Sequence, residues 1–244
     1  MIHSNSTMSI CEMNAPKVIE PFRIVTWNCA GKLREKYTLL QSLKADICIV
    51  QECENPVASR HKGYREFAAN ALWTGDVHYK GLGVFAREGI SLSLLDWEAF
   101  CLRHFLPVRV NEQWNLLAVW AAKPYIEEYY VYHSIHRDKI DSHTVVAGDF
   151  NSNQRWDRKH NKRSHSAVAQ MLADAGLVSA YHQVKGEMHG QESEPTFFLY
   201  RNPERPYHID YAFAAPDAIL DCRIEQDSVW VCSDHRPLII DLNL

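Results

Sequence analysis

The chain has 244 residues, of which 46% are hydrophobic and 23% charged, as expected for a globular protein with a substantial core. Its net charge of −4 excludes binding of nucleic acid through overall positive charge, so any such binding requires a local basic patch. No run of about 18 apolar residues is present, which argues against a membrane-spanning helix.

The N-terminal segment and the cysteines bear on cellular location. Residues 1–21 are polar and lack the apolar centre of a signal peptide, so we expect a flexible lead-in followed by a single domain over residues 22–244. The seven cysteines are scattered and form no C-x-x-C pair, which argues against a zinc ribbon or a disulfide framework. Together these features predict a cytoplasmic protein.

From residue 22 onward, short apolar runs alternate with helical patterns. Strands are predicted in chain order at residues 22–27, 46–52, 81–87, 115–122, 143–150, 208–216 and within 229–244. Helices are predicted within 34–45, 124–135 and 163–182, the last capped by Ser164, ended at Gly176 and apolar on one face through Val168, Met171 and Leu172. The last strands are joined by short connections, which favours a mixed or antiparallel sheet.

Polar side chains occur at the ends of several predicted strands, in the segments TWN, QE, GDFN, HIDY and SDH. They are Asn28, Glu52, Asp149, Asn151, Asp210, Asp234 and His235. Each has an ordinary explanation, because Asn and Asp are turn formers and Glu is common at solvated strand ends. As a set they fit another function: oxygen ligands suit Mg²⁺, an imidazole beside carboxylates suits proton transfer, and amides stabilise oxyanions. The set therefore favours metal-assisted hydrolysis of a phosphoester.

The ordered motifs TWN…QE…GDFN…HIDY…SDH resemble those of the endonuclease/exonuclease/phosphatase superfamily. Its members include abasic-site endonucleases similar to exodeoxyribonuclease III and deoxyribonucleases of the pancreatic type. The resemblance extends over nearly the whole chain from residue 22. It implies a four-layer α/β sandwich, in which two packed mixed β-sheets are flanked by helices, and it implies Mg²⁺ or Mn²⁺ as cofactor.

The resemblance also implies catalytic roles for four residues. Asp149 would orient or deprotonate the attacking water, and Asn151 would contact the scissile phosphate. Asp210 would hydrogen-bond His235 and fix its tautomer. His235 would act as an acid or base, or stabilise the pentavalent phosphate; the resemblance leaves the division of the base role between Asp149 and His235 open.

Three further residues would lie at the metal. Glu52 would be the principal ligand, supported by Asn28 and Asp234. One departure from the family pattern follows the strand LLAVW, where members commonly place a His or Tyr that reaches the phosphate. This chain has Trp-Ala-Ala at residues 120–122, and the candidates to replace that contact are Tyr125, His133 and His136.

Two segments bear on the substrate, and both have alternative readings. Residues 153–165 directly follow the GDFNS motif, are strongly basic and include one tryptophan. This composition suits binding of a nucleic-acid backbone and stacking of a base, but it is also typical of a solvated loop. Residues 194–211 carry aromatic side chains that could line a sugar pocket or belong to the sheet core. The candidate substrate-binding residues are Arg155, Trp156, Arg158, Lys159, Arg163, Phe197, Phe198 and Tyr200.

The leading hypothesis is therefore a monomeric, Mg²⁺-dependent nuclease that hydrolyses DNA phosphodiester bonds and resembles exodeoxyribonuclease III. An alternative is an RNA nuclease or a phosphatase of a small phosphorylated metabolite. A third hypothesis, from another class, is a catalytically silent nucleic-acid-binding module. The sequence leaves endonuclease and exonuclease action equally open.

Overall fold

Two six-stranded β-sheets form the centre of the protein in the computed structural model. The structure describes residues 20–244, apart from the side chains of residues 228 and 229. The predicted lead-in falls almost entirely outside the described residues and stays a prediction. The strands are β1 (Phe22–Asn28), β2 (Ile47–Cys53), β3 (Ala71–Val77), β4 (Lys80–Ala86), β5 (Leu92–Leu94), β6 (Phe105–Val110), β7 (Trp114–Trp120), β8 (Thr144–Asp149), β9 (Val178–Ser179), β10 (Phe197–Phe198), β11 (Pro206–Tyr207), β12 (Asp210–Ala214), β13 (Ile219–Ile224) and β14 (Leu238–Leu242).

Both large sheets are mixed, as the short connections between the last strands predict. The first sheet has the order β13-β14-β1-β2-β4-β3, and the second has the order β5-β6-β7-β8-β12-β9. Only the β1–β2 and β7–β8 pairs are parallel among the described strands. Strands β10 and β11 form a separate two-stranded ribbon.

The main apolar core lies between the two sheets. Ile24 of β1 and Val145 and Ala147 of β8 contribute to this core, whereas Val25 and Val146 point to the outer faces of their sheets. Because side chains alternate along a strand, the same alternation carries the residue at the end of each strand onto the inner face. The inner faces therefore determine where the polar residues that follow the apolar runs are placed.

Helices cover both outer faces and complete the four predicted layers. The α-helices are α1 (Tyr37–Ser42), α2 (Lys62–Phe67), α3 (Ile126–His136), α4 (Asp157–His160), α5 (His165–Asp174) and α6 (Ala180–Lys185). Short 3₁₀ helices lie at Leu33–Glu35, Pro56–Ala58, Gln154–Trp156, Asn161–Arg163, Leu199–Arg201 and Ser228–Cys232. Side chains of α1 and α2 pack on the first sheet, and those of α3 and α5 pack on the second.

The helix predicted within 163–182 is confirmed in its first part and is shorter than that range. The Ser164 side chain accepts a hydrogen bond from the backbone N–H of Ala167, and Gly176 adopts a left-handed φ of 82° after the last turn. The chain then forms β9 and a separate helix, α6. Val168 and Leu172 are buried as predicted.

Strands β3, β6 and β13 were not predicted from the pattern. Strands β3 and β13 are edge strands with half-exposed residues, so they lack a continuous apolar run. Strand β6 contains Pro107, a residue that usually argues against a strand. Across residues 20–244, no helix is long and apolar enough to span a membrane.

Candidate active site

The predicted catalytic residues meet at one end of the space between the sheets. Asn28 ends β1, Asp149 ends β8 and Asp210 begins β12. Asp149 and Asp210 are directly paired across the antiparallel β8–β12 ladder, and Trp120 is paired with Asp149 across the parallel β7–β8 ladder. Because all four continue the inner faces of their strands, the apolar core ends here in a buried polar cluster.

The chain turns sharply immediately around Asp149. A side chain on Gly148 would place its Cβ 1.9 Å from the backbone oxygen of Val119, so only glycine allows β8 to approach β7 this closely. Asn151 adopts a left-handed φ of 48°, and its backbone N–H donates to Asp149 Oδ1 at 2.8 Å. The motif GDFN is therefore a turn as well as a functional candidate, since the turn brings the Asn151 side chain back onto Asp149.

Asp149 is fully buried and is held by two amides. Asn28 Nδ2 and Asn151 Nδ2 each donate to Asp149 Oδ2 at 3.0 Å. Burial, with the neighbouring Asp210 carboxylate, raises the pKa of Asp149 to about 7, although the amide hydrogen bonds oppose this shift. The carboxyl therefore changes its protonation state near neutral pH.

His235 and Asp210 form a buried pair, with 2.9 Å between His235 Nδ1 and Asp210 Oδ2. Burial alone would lower the pKa of this imidazole, but Asp210 and the charge of Asp149 outweigh it and raise the pKa of His235 to about 9. His235 is therefore an imidazolium at neutral pH. Asp210 Oδ1 is buried and has no hydrogen-bond partner among the described residues.

Two hydroxyl groups that were not predicted hold this pair in place. Ser233 Oγ donates to the backbone oxygen of Asn28 at 2.7 Å and accepts from the backbone N–H of His235 at 3.1 Å. Thr196 Oγ1 accepts from the backbone N–H groups of Ile209 and Asp210. Ser233 lies in the SDH motif and Thr196 in the aromatic segment 194–211, yet a single hydroxyl in a loop carries no signal of its long-range partner.

Glu52 lies at an irregularity in its strand. Strict alternation along β2 would place Glu52 on the outer face, between buried neighbours Gln51 and Cys53. Instead the ladder shifts register between these neighbours, and Glu52 takes a left-handed φ of 59°. Its carboxylate forms an ion pair with Lys80 at 3.1 Å.

The oxygen-rich cluster fits a hard divalent cation. Asp149, Asp210 and, in its neutral form, His235 each have a potential ligand atom, and these atoms lie within 4.8 Å of one another. The unpartnered Asp210 Oδ1 and the Asp149 carboxylate supply the oxygen donors that Mg²⁺ and Mn²⁺ prefer. Glu52 and the half-buried Asp234 lie outside this group. Their assignment as metal ligands, like that of Asn28, stays a prediction.

The departure at residues 120–122 brings two further side chains to the site. The ring of His104 packs on Trp120 with 4.4 Å between centroids, and Lys80 Nζ lies 5.3 Å from the Trp120 ring centroid. Burial lowers the pKa of His104, so its contact with Asp76 at 3.9 Å is not a charged pair at neutral pH. The sequence did not single out either Lys80 or His104.

The residues considered as replacements for the missing His or Tyr lie elsewhere. His133 and His136 are buried on α3, where they contact the Tyr129 hydroxyl and the Glu98 backbone oxygen. Tyr125 is half-buried at the start of that helix. Among contacts within the described part of the chain, none joins these three to Trp120 or Asp149.

The basic segment after GDFNS is exposed, as binding to a phosphate backbone requires. Arg155, Arg158, Lys159 and Arg163 are all exposed, and Trp156 is half-buried. The Trp156 ring lies 5.2 Å from that of Tyr207, and the Arg155 guanidinium lies 5.5 Å from the same Tyr207 ring. These contacts form a basic and aromatic surface on the chain that leaves the catalytic turn.

The aromatic residues of the second segment do not belong to the sheet core. Phe197 and Phe198 form β10 of the small ribbon and are half-buried, and Tyr200 is 81% exposed. The Phe197 ring packs on the His235 ring with 4.6 Å between centroids. Arg236 lies 5.2 Å from the Phe198 ring. The ribbon therefore forms a wall beside the His235–Asp210 pair.

Comparison with known proteins gives one family and several related folds. Residues 25–235 match the family described as Endonuclease/Exonuclease/phosphatase. No curated protein sequence matches the chain significantly.

Among solved structures, the fold resembles an AP endonuclease from Archaeoglobus fulgidus, with a TM-score of 0.69, 16% identity and coverage of 91% of this chain and 100% of that one. It also resembles the 3' phosphatase NExo from Neisseria bound to a product DNA hairpin, with a TM-score of 0.65, 18% identity and coverage of 91% and 100%. A structure of the 3'-5' exonuclease NExo from Neisseria meningitidis gives a TM-score of 0.64, 19% identity and the same coverage. At these identities the likeness shows the fold.

Proposed function

Because the chain belongs to the endonuclease/exonuclease/phosphatase family, we propose that it is a Mg²⁺-dependent phosphodiesterase that hydrolyses DNA and resembles exodeoxyribonuclease III. The observation that carries the proposal is the buried, hydrogen-bonded arrangement of Asn28, Asp149, Asn151, Asp210 and His235 at one end of the sheets. Burying two carboxylates close together is costly, so their presence favours a functional role over a structural one.

Asp210 would contact the cation through its unpartnered Oδ1, joined by Glu52, Asn28 and Asp234 as the family resemblance implies, which leaves Asp149 for the attacking water. Mg²⁺ or Mn²⁺ bound there would neutralise phosphate charge and favour ionisation of the attacking water. For Glu52 to bind the cation, its ion pair with Lys80 must break. The Lys80 ammonium group would then be available to contact a phosphate oxygen.

Asp149 would act as the general base. A base works best when its pKa lies near the operating pH, and the pKa of Asp149 is raised to about 7. The amides of Asn28 and Asn151 both bond to Oδ2, which fixes the carboxylate plane relative to the substrate. Asn151 would exchange part of this contact for the scissile phosphate.

His235 would stabilise the charge that develops on the phosphate and protonate the leaving oxygen. Its pKa of about 9 keeps it charged at neutral pH, and Asp210 holds Nδ1 so that Nε2 is left for the substrate. This division, with Asp149 as base and His235 as acid, is the one that the two opposed environments support.

A DNA substrate is supported by the surface beside the site. The exposed basic residues 155, 158, 159 and 163 follow the catalytic turn, and Trp156 and Tyr207 add aromatic surface on which a base can stack. The Neisseria structure of similar fold contains a product DNA hairpin. A protein of net charge −4 needs such a local patch to hold a polyanion.

The test is hydrolysis of a substrate panel with Mg²⁺, with Mn²⁺ and with EDTA. The panel contains duplex DNA, abasic-site duplex, single-stranded DNA, RNA and inositol phosphates. We expect metal-dependent cleavage of DNA that is abolished by EDTA and weakens steeply as salt rises from about 50 to 200 mM. Faster cleavage of RNA or of inositol phosphates would replace the DNA proposal with the corresponding alternative, and a folded protein that hydrolyses nothing would contradict it.

A further inference from the structure

A second polar cluster lies on the outer side of the second sheet, apart from the candidate active site. Four histidines surround the buried Tyr211 ring, with centroid distances of 4.8 Å to His165, 4.9 Å to His208, 5.9 Å to His189 and 6.1 Å to His182. One carboxylate, Glu192, lies among them with its side chain 1% exposed. We call these four histidines and Glu192 the histidine cluster.

We propose that His182, His189 and Glu192 form a second metal site, which takes a divalent ion of the Zn²⁺ class. Each offers a ligand atom, and the three atoms lie within 4.8 Å of one another. Two imidazoles and one carboxylate are a ligand set that zinc uses, whereas Mg²⁺ prefers oxygen ligands alone.

The surrounding contacts are those that orient metal ligands. His182 Nδ1 lies 2.7 Å from Ser179 Oγ, and its Nε2 lies 3.2 Å from Glu192 Oε1. His189 Nδ1 lies 2.9 Å from His165 Nε2. No hydrogen bond among the described residues reaches Nε2 of His189. In both histidines Nδ1 is held by a partner, as is usual for histidines that bind a metal; His182 Nε2 faces the proposed co-ligand Glu192, so a bound ion would replace the proton that these two atoms share.

The charges of the cluster also suit a cation. Burial lowers the pKa of His165 to about 3 and that of His189 to about 4, which favours neutral imidazoles; when His189 donates from Nδ1 to His165, its Nε2 lone pair is free for an ion. Glu192 stays ionised because its hydrogen bonds with His182 and the Gly190 N–H outweigh its burial and lower its pKa. The cluster thus buries a negative charge beside two neutral imidazoles.

Two buried nitrogen atoms mark the cluster as incompletely satisfied. His165 Nδ1 and His208 Nε2 have no hydrogen-bond partner among the described residues, although these side chains are only 1% and 3% exposed. Such atoms are rare in a core that serves packing alone.

An ion can reach the site from solvent. His182 and His189 line an open groove of about 500 Å³ between α5 and α6. Their rings stack with 3.7 Å between centroids and 24° between planes, so one ring must turn before both Nε2 atoms face one ion. His189 is half-buried at the groove, and turning it about its Cβ–Cγ bond would exchange its contact with His165 for the ion.

The site would fasten the loop after α6 to the catalytic turn. Asn153, two residues beyond Asn151, donates from Nδ2 to Glu192 Oε2 at 3.0 Å and also contacts the His208 backbone oxygen. His208 in turn precedes Asp210 by two residues. An ion held by Glu192 would therefore brace the two segments that carry Asp149 and Asp210.

The experiment is a titration of the metal-stripped full chain with Co²⁺, monitored by visible absorption, and with Zn²⁺, followed by dialysis and elemental analysis, both in excess Mg²⁺. We expect one bound ion in the wild type and in Asp149→Asn, which separates this site from the candidate active site. In His189→Gln the affinity for Co²⁺ and Zn²⁺ should fall about 100-fold or more. Loss of a residue that only supports a metal ligand costs about 100-fold at most, so a fall of this size identifies His189 as a ligand. His143→Gln is the matched control, because the His143 side chain is 76% exposed and remote from the cluster.

Binding in the His189→Gln variant equal to that of the wild type would overturn the proposal, as would a wild type that binds no ion beyond the one lost in Asp149→Asn. If His189→Gln does not fold, Glu192→Gln and the comparison of the wild type with Asp149→Asn decide the question in the same way. Thermal unfolding adds an independent readout: Zn²⁺ should raise the Tm of the wild type and of His143→Gln but not that of His189→Gln.

Discussion

The candidate active site and the histidine cluster both place imidazole groups beside carboxylates, yet His235 in the first is favoured as a cation and His189 in the second as a neutral ring. In the candidate active site the pKa of His235 is raised to about 9, whereas in the histidine cluster the pKa of His189 is lowered to about 4. Burial alone would lower both, since it disfavours the charged form.

The difference comes from the ratio of carboxylates to imidazoles. His235 contacts Asp210 directly and feels Asp149 and Asp234 as well, so three carboxylates act on one imidazole. The histidine cluster as defined above contains four imidazoles and one carboxylate, Glu192. A protonated histidine there repels the positive charge of a second one, which lowers the pKa of both. The same residue type is therefore a charged proton donor in one region and a neutral lone-pair donor in the other.

The largest effect is expected from removing the charge of Asp149. Asp149→Asn keeps the size of the side chain, and its Oδ1 can still accept from the Asn151 N–H, but it cannot accept a proton from water. We expect hydrolysis to fall by about 10³-fold, within the range for loss of a positioned general base. The rate under saturating Mg²⁺, with folding checked by circular dichroism, measures this.

Asp141→Asn is the matched control for this variant. Asp141 is exposed and accepts from the backbone N–H two residues later at 2.9 Å, the same local turn that Asp149 makes. Its substitution should leave the rate unchanged. A rate in Asp149→Asn within a few-fold of the control would remove Asp149 from the mechanism.

The second largest effect is expected from Asp210→Asn, which tests whether Asp210 keeps the His235 imidazole protonated. In the wild type, activity that needs the imidazolium should fall as pH rises through about 9. In Asp210→Asn the largest raising influence is lost while burial remains, so this alkaline limb should move to lower pH, with about 10²-fold lower activity at neutral pH. The pH profile of kcat/KM checks this, and an alkaline limb that stays near pH 9 would assign it to another group.

A histidine outside both regions isolates the effect of burial. His133 is buried on α3, and burial lowers its pKa from 6.5 to about 4. Between pH 6.5 and pH 4, His133 is therefore protonated in the unfolded chain but neutral in the folded protein. Its contribution to the free energy of unfolding is present above pH 6.5 and is lost as pH falls toward 4.

This proton uptake should be visible in the free energy of unfolding. His133→Asn should reduce the slope of this free energy against pH, in the window from pH 6.5 to 4, by up to one proton, which is about 1.4 kcal/mol per pH unit. Urea denaturation at several pH values measures the slope, with the exposed His143→Asn as control. Parallel slopes in wild type and His133→Asn would show that His133 is protonated in the folded protein.

The smallest effect is expected from Lys80, whose ammonium group forms an ion pair with Glu52. Lys80→Gln removes the ion pair with Glu52, so Glu52 should be more available to Mg²⁺. A partly exposed ion pair contributes about 0.2–1 kcal/mol, which corresponds to a fall of about 1.4- to five-fold in the Mg²⁺ concentration that gives half-maximal activity.

Lys62→Gln removes an exposed ion pair with Glu66 and should not change this concentration. If Lys80→Gln instead raised the Mg²⁺ requirement, Lys80 would not compete with the metal for Glu52.

Much of the candidate active site follows from local signals in the sequence. Asn28, Asp149 and Asp210 stand at the ends of apolar alternating runs, and residues of one parity on packed strands necessarily share the inner faces. The Asp149–Asn151 turn is likewise local, because an Asp side chain readily accepts from the N–H two residues on. The alternation of apolar strands and helices predicts a mixed α/β domain, and the resemblance to the family added its four layers, which the structure confirms.

Glu52, by contrast, shows where local rules fail. Its placement depends on a β-bulge in β2, and alternation read from the sequence assigns it to the opposite face. The edge strands β3 and β13 were missed for a related reason, since a strand that is covered on one side only needs no continuous apolar run.

The sequence by itself determined which residues end the strands and which chemistry they suit, because strand period and turn preference act over a few residues. The resemblance already implied the pairing of Asp210 with His235, whereas only the tertiary structure decided the assembly of histidines from α5, α6 and two loops around Tyr211. It also decided their charges, since a pKa depends on burial and on neighbouring charge, and both are set by contacts between residues far apart in the chain.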